Sequence, residues 1–250
     1  MIADARRRRL AERLVERGSI TVRDCAVEFG VTTETIRKDI LHLETIGLAH
    51  KRFGGAVVSQ NLSEGRPAVK GTAFNDAKSL IAARALELVP DGGNILIDGG
   101  TTTKALGERL ALRSGYTIFT NSIPLFSTLG VSDNDVFIIG GRLHTPTMSN
   151  VGRWAVQAMR STKVDIAFLG TDGHRGADGP MSSSYDESEF KASVIASSRT
   201  SVVLGDSSKF ARTGLFQFST WIGVDTLITD DGVSPDDLAR VAADTDVLVV

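Results

Sequence analysis

The sequence is poor in cysteine, in aromatic residues and in long apolar runs. A single cysteine, Cys25, stands among 250 residues, which excludes an intrachain disulfide framework and a zinc site built on several cysteines. No apolar run approaches the roughly 20 residues of a membrane-spanning helix. The charged stretch Arg6–Arg9 is not followed by the apolar segment of a secretory signal. We therefore expect a cytoplasmic protein with no membrane partner.

Acidic and basic residues nearly balance, but they are unevenly distributed along the chain. The formal net charge of −2 argues, as a whole-chain average, against a nucleic-acid partner. Residues 1–58 nevertheless carry +3 and the remainder carries −5. A basic end on an acidic body indicates two functions in one chain and removes the argument against nucleic acid.

Residues 1–58 show the pattern of three short helices. Apolar positions repeat at helical spacing over 4–17. Thr21 is expected to cap a second helix over 22–29, and Thr32 or Thr33 a third that runs to about residue 45. The third helix carries one apolar stripe, formed by Ile36, Ile40, Leu43 and Ile46. Three short helices with a tight turn before the last predict a helix-turn-helix.

The polar face of the third helix and the segment after it are suited to DNA. Arginine and lysine donate to guanine acceptors or phosphates, and threonine reaches a phosphate or a thymine methyl group. Residues 48–58 are typical of a two-stranded basic ribbon, a wing, although a charged face can also be simply solvated. The candidate DNA-binding residues are Thr21, Thr32, Thr33, Thr35, Arg37, Lys38, His42, Lys51, Arg52, Gly54 and Gly55.

The same stretch strongly resembles the winged helix-turn-helix signature of DeoR-type bacterial transcription regulators. The matching residues are Thr32, Thr35–Asp39, Leu43, Glu44, Gly47 and Arg52–Ala56. Lys38 replaces the commoner second arginine, and Phe53 replaces a common histidine. The resemblance implies a double-stranded DNA operator as partner and a regulator, expected to repress carbohydrate metabolism genes. Because one winged domain buries little DNA surface, we also expect a homodimer or homotetramer.

Residues 59–73 are predicted to be a linker, and residues 74–250 an α/β domain. The linker is rich in Ser, Gly, Asn and Pro and lacks periodicity. Strand-like and helix-like segments alternate after it, which predicts a Rossmann-like, mostly parallel sheet covered on both faces. The predicted strands are 94–98, 117–119, 136–139, 166–170, 201–205, 225–228 and 247–250, and the predicted helices are 77–89, 102–112, 186–197 and 235–243.

Small polar residues follow several of these strands, where ligands bind in such sheets. Gly99 and Gly100 precede Thr101–Thr103 at the start of a helix. Free N–H groups and the helix dipole favour phosphate there, although a glycine turn capped by threonine would look the same. Similar polar turns after the other strands suggest a shared pocket for a hydroxylated anion.

These segments also resemble the DeoR-family sensor domain, which is similar to ribose-5-phosphate isomerase. The resemblance implies a phosphorylated sugar or related metabolite as effector, and we expect no cofactor and no metal. It places the phosphate loop at 98–102, the pocket wall at Asn121 and Gly141, and the sugar end at Asp206 and Lys209. The full candidate set is Asp98, Gly99, Gly100, Thr101, Thr102, Thr103, Asn121, Gly141, Asp172, Asp206 and Lys209.

The resemblance to the isomerase breaks where its chemistry is concentrated. The isomerase's Asp-Gly-Ala-Asp-Glu run corresponds here to Leu169–Gly173, in which only Asp172 carries a carboxylate. Isomerisation needs a base and an acid, so we expect a regulator and not an enzyme. Asp186, Glu187 and Glu189 could supply a base, but acids also favour a helix N-terminus.

Two alternatives stay open at this point. The first is an isomerase-like enzyme with an unrelated N-terminal appendage. The second is a nucleotide-binding protein that uses the glycine-threonine loop. It would need an aromatic or apolar pocket for the base, and few aromatic residues lie near the predicted strand ends.

Overall fold

The chain divides into two units, Met1–Lys70 and Gly71–Val250. The computed structural model describes residues 6–7, 9–11, 13–14, 19–45, 49–52, 54–58 and 72–250. Most of the predicted linker therefore lies outside the described residues. A helix already begins at Thr72, within the last two residues assigned to that linker.

The first unit packs helices against a three-stranded antiparallel sheet. Residues 6–7, 9–11 and 13–14 are helical. The elements that follow are β1 (Ser19–Thr21), α1 (Val22–Phe29), α2 (Thr33–Thr45), β2 (Ala49–Arg52) and β3 (Gly55–Val58). Strand β3 pairs with both β1 and β2. The sequence predicts only the β2–β3 ribbon, because three residues are too few for β1 to show a strand period.

Threonine side chains fix the start of α1 and α2. Thr21 Oγ1 accepts a hydrogen bond from the backbone N–H of Asp24 at 3.1 Å. Thr32, not Thr33, caps α2, since its Oγ1 accepts from the N–H of Thr35 at 3.2 Å. The predicted apolar stripe is buried, apart from Ile46, which lies outside the described residues. Its neighbours in the core include Leu10, Leu14, Ile20 and Cys25.

The second unit is a seven-stranded sheet between two layers of helices. Its first elements are α3 (Thr72–Glu87), β4 (Asn94–Ile97), α4 (Thr101–Leu110), β5 (Thr117–Thr120), α5 (Ile123–Leu129), β6 (Asp135–Ile138), β7 (Arg142–His144), β8 (Ser149–Val151) and α6 (Arg153–Arg160). The rest are β9 (Val164–Gly170), β10 (Met181–Ser182), α7 (Tyr185–Ser197), β11 (Ser198–Leu204), β12 (Phe216–Gln217), β13 (Thr226–Thr229), α8 (Pro235–Ala242) and β14 (Asp246–Val249), with short 3₁₀ turns at Ser207–Ala211 and Trp221–Gly223.

The strand order is β14-β13-β11-β9-β4-β5-β6. All seven predicted strands are present, and every neighbouring pair is parallel. Alternate residues of β4 enter different cores: Ile95 and Ile97 pack with the α3–α5 layer, and Leu96 packs with the α6–α8 layer. Because the strands are buried on both faces, their sequences are largely continuous apolar runs.

Strand β4 is the point where the chain reverses its direction across the sheet. The chain first adds β5 and β6 on one side of β4 and then crosses to place β9 on the other side. Such a reversal opens a crevice at the carboxyl ends of the two strands. The loops that begin at Asp98 and Thr171 therefore border this crevice.

Candidate functional site

The loop between β4 and α4 leaves a helix N-terminus open. Gly100 is the N-cap of α4, with φ of +152°, and no side chain caps the helix. The Thr103 hydroxyl donates to the Gly100 carbonyl at 3.0 Å, so the reading of a threonine-capped turn is wrong. Thr102 and Thr103 are buried, whereas Thr101 is exposed. The first-turn N–H groups are therefore available to an anion.

Gly99 is required by a close approach of the β7–β8 hairpin. A Cβ at this position would lie 2.2 Å from Ser149 Oγ. Its N–H donates to Asn121 Oδ1 at 3.3 Å, and Asn121 Nδ2 donates to the Asn150 carbonyl at 3.2 Å. The predicted ligand residue Asn121 thus uses its amide to tie the loops after β4 and β5 to β8.

A buried lysine that the sequence analysis missed lies beside Asp98. Lys191 Nζ is 3.2 Å from Asp98 Oδ2 and donates to the Gly170 carbonyl at 2.7 Å. The two side chains are only 8% and 4% exposed. The ammonium also lies 5.1 Å from the centre of the Phe218 ring. Its i+4 spacing from Glu187 on α7 puts both side chains on one helix face, and this was the available sequence signal.

Burial and charge shift the pKa values of this pair. Burial raises the pKa of Asp98 above its usual value, although the Lys191 ammonium opposes this effect. Burial alone would lower the pKa of Lys191, but Asp98, Glu187 and Asp172 together raise it. Lys191 therefore stays charged among three carboxylates at neutral pH.

Asp172, another of the predicted ligand residues, lies at the same edge of the sheet. It accepts a hydrogen bond from the Ser183 N–H at 2.6 Å. Burial would raise its pKa, but Lys191 and Ser183 outweigh this effect and the pKa is lowered. Asp172 is therefore an ionised acceptor.

The loop after β11 presents Asp206 and Lys209. Asp206 is buried and caps the 3₁₀ turn by accepting from the N–H of Ser208 at 3.1 Å. Burial lowers the pKa of Lys209, although Asp206 and Asp172 act in the opposite direction. Among the described residues, no carboxylate lies within ion-pair distance of the Lys209 ammonium. Lys209 is thus a half-buried cation available to a ligand.

Gly141 and the three acidic residues of α7 differ in the contacts that they make. A Cβ on Gly141 would lie 2.6 Å from the Val151 carbonyl oxygen, so this glycine allows the hairpin to pack. Asp186 pairs with Arg142, and exposed Glu189 accepts from the Tyr185 hydroxyl at 3.0 Å. Glu187 instead is buried and faces the hairpin.

The predicted DNA-binding residues are mostly exposed on α2 and the β2–β3 ribbon. Arg37 is 55% exposed and contacts Glu34 at 3.2 Å. The other exposed members are Thr21, Thr32, Thr33, Lys38, His42, Lys51, Arg52 and Gly54, whereas Thr35 is half-buried. Gly55 has a packing role, because its Cβ would lie 2.0 Å from the Ile20 carbonyl oxygen.

Part of the basic N-terminal charge is used inside this unit. Asp39 on α2 is 1% exposed. Arg6 Nε donates to it at 2.6 Å and Arg7 Nε at 3.1 Å. This contact orients α2 and leaves no local pattern in the sequence.

Two absences hold for the part of the chain that the structure describes. It contains no cluster of three or more histidine, cysteine or acidic residues arranged to hold a metal ion. None of its helices has the length and apolar character needed to cross a membrane.

Comparisons with known proteins identify both units. Residues 6–61 match the family described as DeoR-like helix-turn-helix domain, and residues 74–231 match the DeoR C terminal sensor domain. The putative aga operon transcriptional repressor of Escherichia coli O157:H7 is 30% identical over 93% of this chain and 88% of its own. The glycerol-3-phosphate regulon repressor of Escherichia coli K12 is 25% identical over 88% of each chain. Ribose 5-phosphate isomerase A of Methanocaldococcus jannaschii matches 54% of each chain, with 20% identity and a TM-score of 0.41.

Proposed function

Because the chain belongs to the DeoR family of DNA-binding transcriptional regulators, which are not enzymes, we propose that it represses carbohydrate metabolism genes under control of a phosphorylated metabolite. In this proposal residues 1–58 read an operator, residues 59–73 link the units, and residues 74–250 bind the effector. The protein acts in the cytoplasm as a homodimer or homotetramer.

In this proposal α2 contacts the bases of the operator, and the β2–β3 ribbon contacts its phosphates. The first turns of α2 lie in the major groove, where Arg37 and Lys38 donate to guanine or phosphate. Lys51 and Arg52 neutralise phosphates from the ribbon. The exposure of these four side chains on one helix and its adjoining strands supports the assignment.

The effector is a sugar phosphate or related polyol phosphate. The observation that carries this assignment is the uncapped N-terminus of α4 beside a set of buried carboxylates at the strand reversal. A phosphate suits the N–H groups of 100–103. Hydroxyl groups suit the carboxyl oxygens of Asp98, Asp172 and Asp206, with the Lys209 ammonium as a donor. The name of one relative, a glycerol-3-phosphate regulon repressor, agrees with this ligand class.

The effector acts only through its different affinity for the DNA-binding and non-binding arrangements of the protein. A homo-oligomer fits the small DNA surface that one winged domain covers, since repeated half-sites add affinity. The direction of the shift, release or recruitment of DNA, is an outcome of the experiment below.

A gel shift on the DNA upstream of the protein's own gene, with and without a panel of sugar phosphates, tests the proposal. We expect one phosphate compound to change the midpoint, and Arg37→Ala to weaken binding by about 1–3 kcal/mol if this residue reads a base. Arg160→Ala, an exposed arginine on α6, is the matched control. An unchanged midpoint for Arg37→Ala would remove α2 from the operator contact. A panel without any effect would remove the effector class.

A further inference from the structure

The β7–β8 hairpin carries a polar cluster that the proposed site has not used. The Thr147 hydroxyl donates to Glu187 Oε1 at 2.7 Å, and the Ser182 hydroxyl donates to Glu187 Oε2 at 3.2 Å. His144 Nε2 lies 3.8 Å from the same Oε2 atom. Two separate segments, the β7–β8 hairpin and β10, therefore converge on one carboxylate of α7.

Glu187 has more acceptor capacity than these neighbours fill. A carboxylate accepts about four hydrogen bonds, and two hydroxyl donors are in place. Among the described residues, no lysine or arginine lies within ion-pair distance of it. Its side chain is 11% exposed and that of His144 is 22% exposed. Both groups keep some exposure, and the remaining acceptor positions can take hydroxyl donors from a ligand.

The cluster belongs to the same crevice as the phosphate loop. The Glu187 carboxylate acts to raise the pKa of both Asp98 and Lys191. At its other end the hairpin is fixed to the loops after β4 and β5: the Asn150 N–H donates to the Asn121 carbonyl at 2.7 Å, and Ser149 packs on Gly99. The hairpin thus forms one wall that runs from the phosphate loop to Glu187.

The tip of this wall is held in an unusual backbone conformation. Met148, between Thr147 and Ser149, has φ of +51° and is the one non-glycine residue with positive φ in the described part of the chain. Such conformations persist where surrounding contacts enforce them, and they cluster at ligand sites. Here the Met148 carbonyl accepts from the Ile123 N–H at 3.0 Å. This contact ties the backbone next to Thr147 to the start of α5.

We propose that His144, Thr147 and Glu187 form a hydroxyl-recognition subsite that selects the effector by the hydroxyl groups remote from its phosphate. The inference rests on the proposed function, because it assumes that the phosphate lies at the N-terminus of α4. A carboxylate, an imidazole and a hydroxyl together offer acceptors and donors to a polyol or sugar. They do not suit an apolar group.

Direct binding of two kinds of probe to the full chain tests the subsite. The probes are inorganic phosphate, which carries no sugar hydroxyl group, and the sugar phosphate that binds tightest in a panel of pentose and hexose phosphates. We expect Glu187→Gln to weaken sugar phosphate binding about ten- to a hundredfold, the usual effect of losing hydrogen bonds to a charged group. Inorganic phosphate should bind Glu187→Gln and the unaltered protein equally. Glu189→Gln, the same change on the exposed face of α7, is the control and should leave both constants unchanged.

The outcomes separate this inference from the proposed function. If the unaltered protein binds neither probe, the proposed function fails, and the subsite fails with it. If the sugar phosphate binds but Glu187→Gln has no effect, or weakens both probes equally, only the subsite is overturned. Should Glu187→Gln not fold, Thr147→Val decides the matter, because it removes one hydroxyl group from the exposed hairpin turn and should show the same selectivity for the sugar phosphate.

Discussion

At the scale of single residues, Lys191 and Asp98 form a buried ion pair in the sensor unit. Both groups are buried, so each depends on the other for compensation of its charge. Lys191 also donates to the Gly170 carbonyl at 2.7 Å, which joins α7 to the end of β9. The pair therefore combines a structural role with the placement of an acceptor beside the phosphate loop.

We predict that Lys191→Met destabilises the sensor unit by about 3–5 kcal/mol, because it leaves the Asp98 carboxylate buried without its partner. Denaturant unfolding of the full chain measures this loss. Lys104→Met is the matched control, since Lys104 pairs with Glu108 on α4 but is 46% exposed. The control should change stability by less than about 1 kcal/mol.

The pH dependence of the same variant identifies the group responsible. Burial already raises the pKa of Asp98, and removal of the ammonium raises it further above its value in the unfolded chain. A carboxyl group with a raised pKa in the folded state contributes stability at low pH that is lost as the pH rises. The difference in the free energy of unfolding between Lys191→Met and the unaltered protein should therefore increase from about pH 5 to pH 7. If this difference stays constant over the range, Asp98 is not the uncompensated group.

At the scale of elements, the sensor site depends on the fit between the β4–α4 loop and the β7–β8 hairpin. We predict that Gly99→Ala destabilises the unit by about 1–3 kcal/mol, because the new Cβ meets Ser149 Oγ at 2.2 Å. Addition of Ser149→Ala should restore most of this loss, since the next contact is the Ser149 Cβ at 3.4 Å. Thermal unfolding of the two single variants and the double variant gives the coupling energy.

Gly140→Ala serves as the glycine control, because its Cβ would meet no atom within 4 Å. If the stability losses of the two single variants simply add in the double variant, the loop and the hairpin do not meet at Ser149. A stable Gly99→Ala would mean that the loop shifts or the Ser149 hydroxyl group rotates at little cost, so that this contact does not hold the loop against the hairpin.

The sequence predicts elements well where their pattern is local and poorly where it is not. Strand β4 contains an apolar run of three residues, 95–97, and the other six sheet strands also contain short apolar runs. The hairpin strands β7 and β8 have three residues each, which is too short for a visible period. In α6 only Ala155 and Met159 are buried, so its apolar stripe is faint.

Site residues follow the same rule. Asp98, Gly99 and Gly100 could be predicted because a strand end, a glycine turn and a helix start lie next to one another in the sequence. Lys191 and Glu187 could not be assigned, because their partners are supplied by distant segments: Asp98 for the lysine, and Thr147 and Ser182 for the glutamate. Tertiary pairing, which leaves no local pattern, decides their burial.

At the scale of the whole molecule, charge and function are divided between two units. The net charge of −2 combines +3 in residues 1–58 with −5 in the rest. Part of the positive charge is internal, since Arg6 and Arg7 bind Asp39. The remaining cations of α2 and the ribbon are exposed, and an acidic sensor unit disfavours nonspecific contacts of its own with DNA.

Communication between the units is tested by a change in the sensor that should leave DNA binding intact. We predict that Lys209→Ala abolishes the effector response of a gel shift while the operator midpoint without effector stays the same. Burial lowers the pKa of Lys209, and its ammonium has no ion-pair partner among the described residues. Its loss should therefore remove a ligand contact without breaking a close ion pair. Lys163→Ala, an exposed lysine before β9, is the control. A normal effector response in Lys209→Ala would place the effector elsewhere. If Lys209→Ala no longer bound the operator, Lys209 would instead support the fold. Because coupling is reciprocal, operator DNA should change effector affinity in the unaltered protein by the same factor by which effector changes operator affinity.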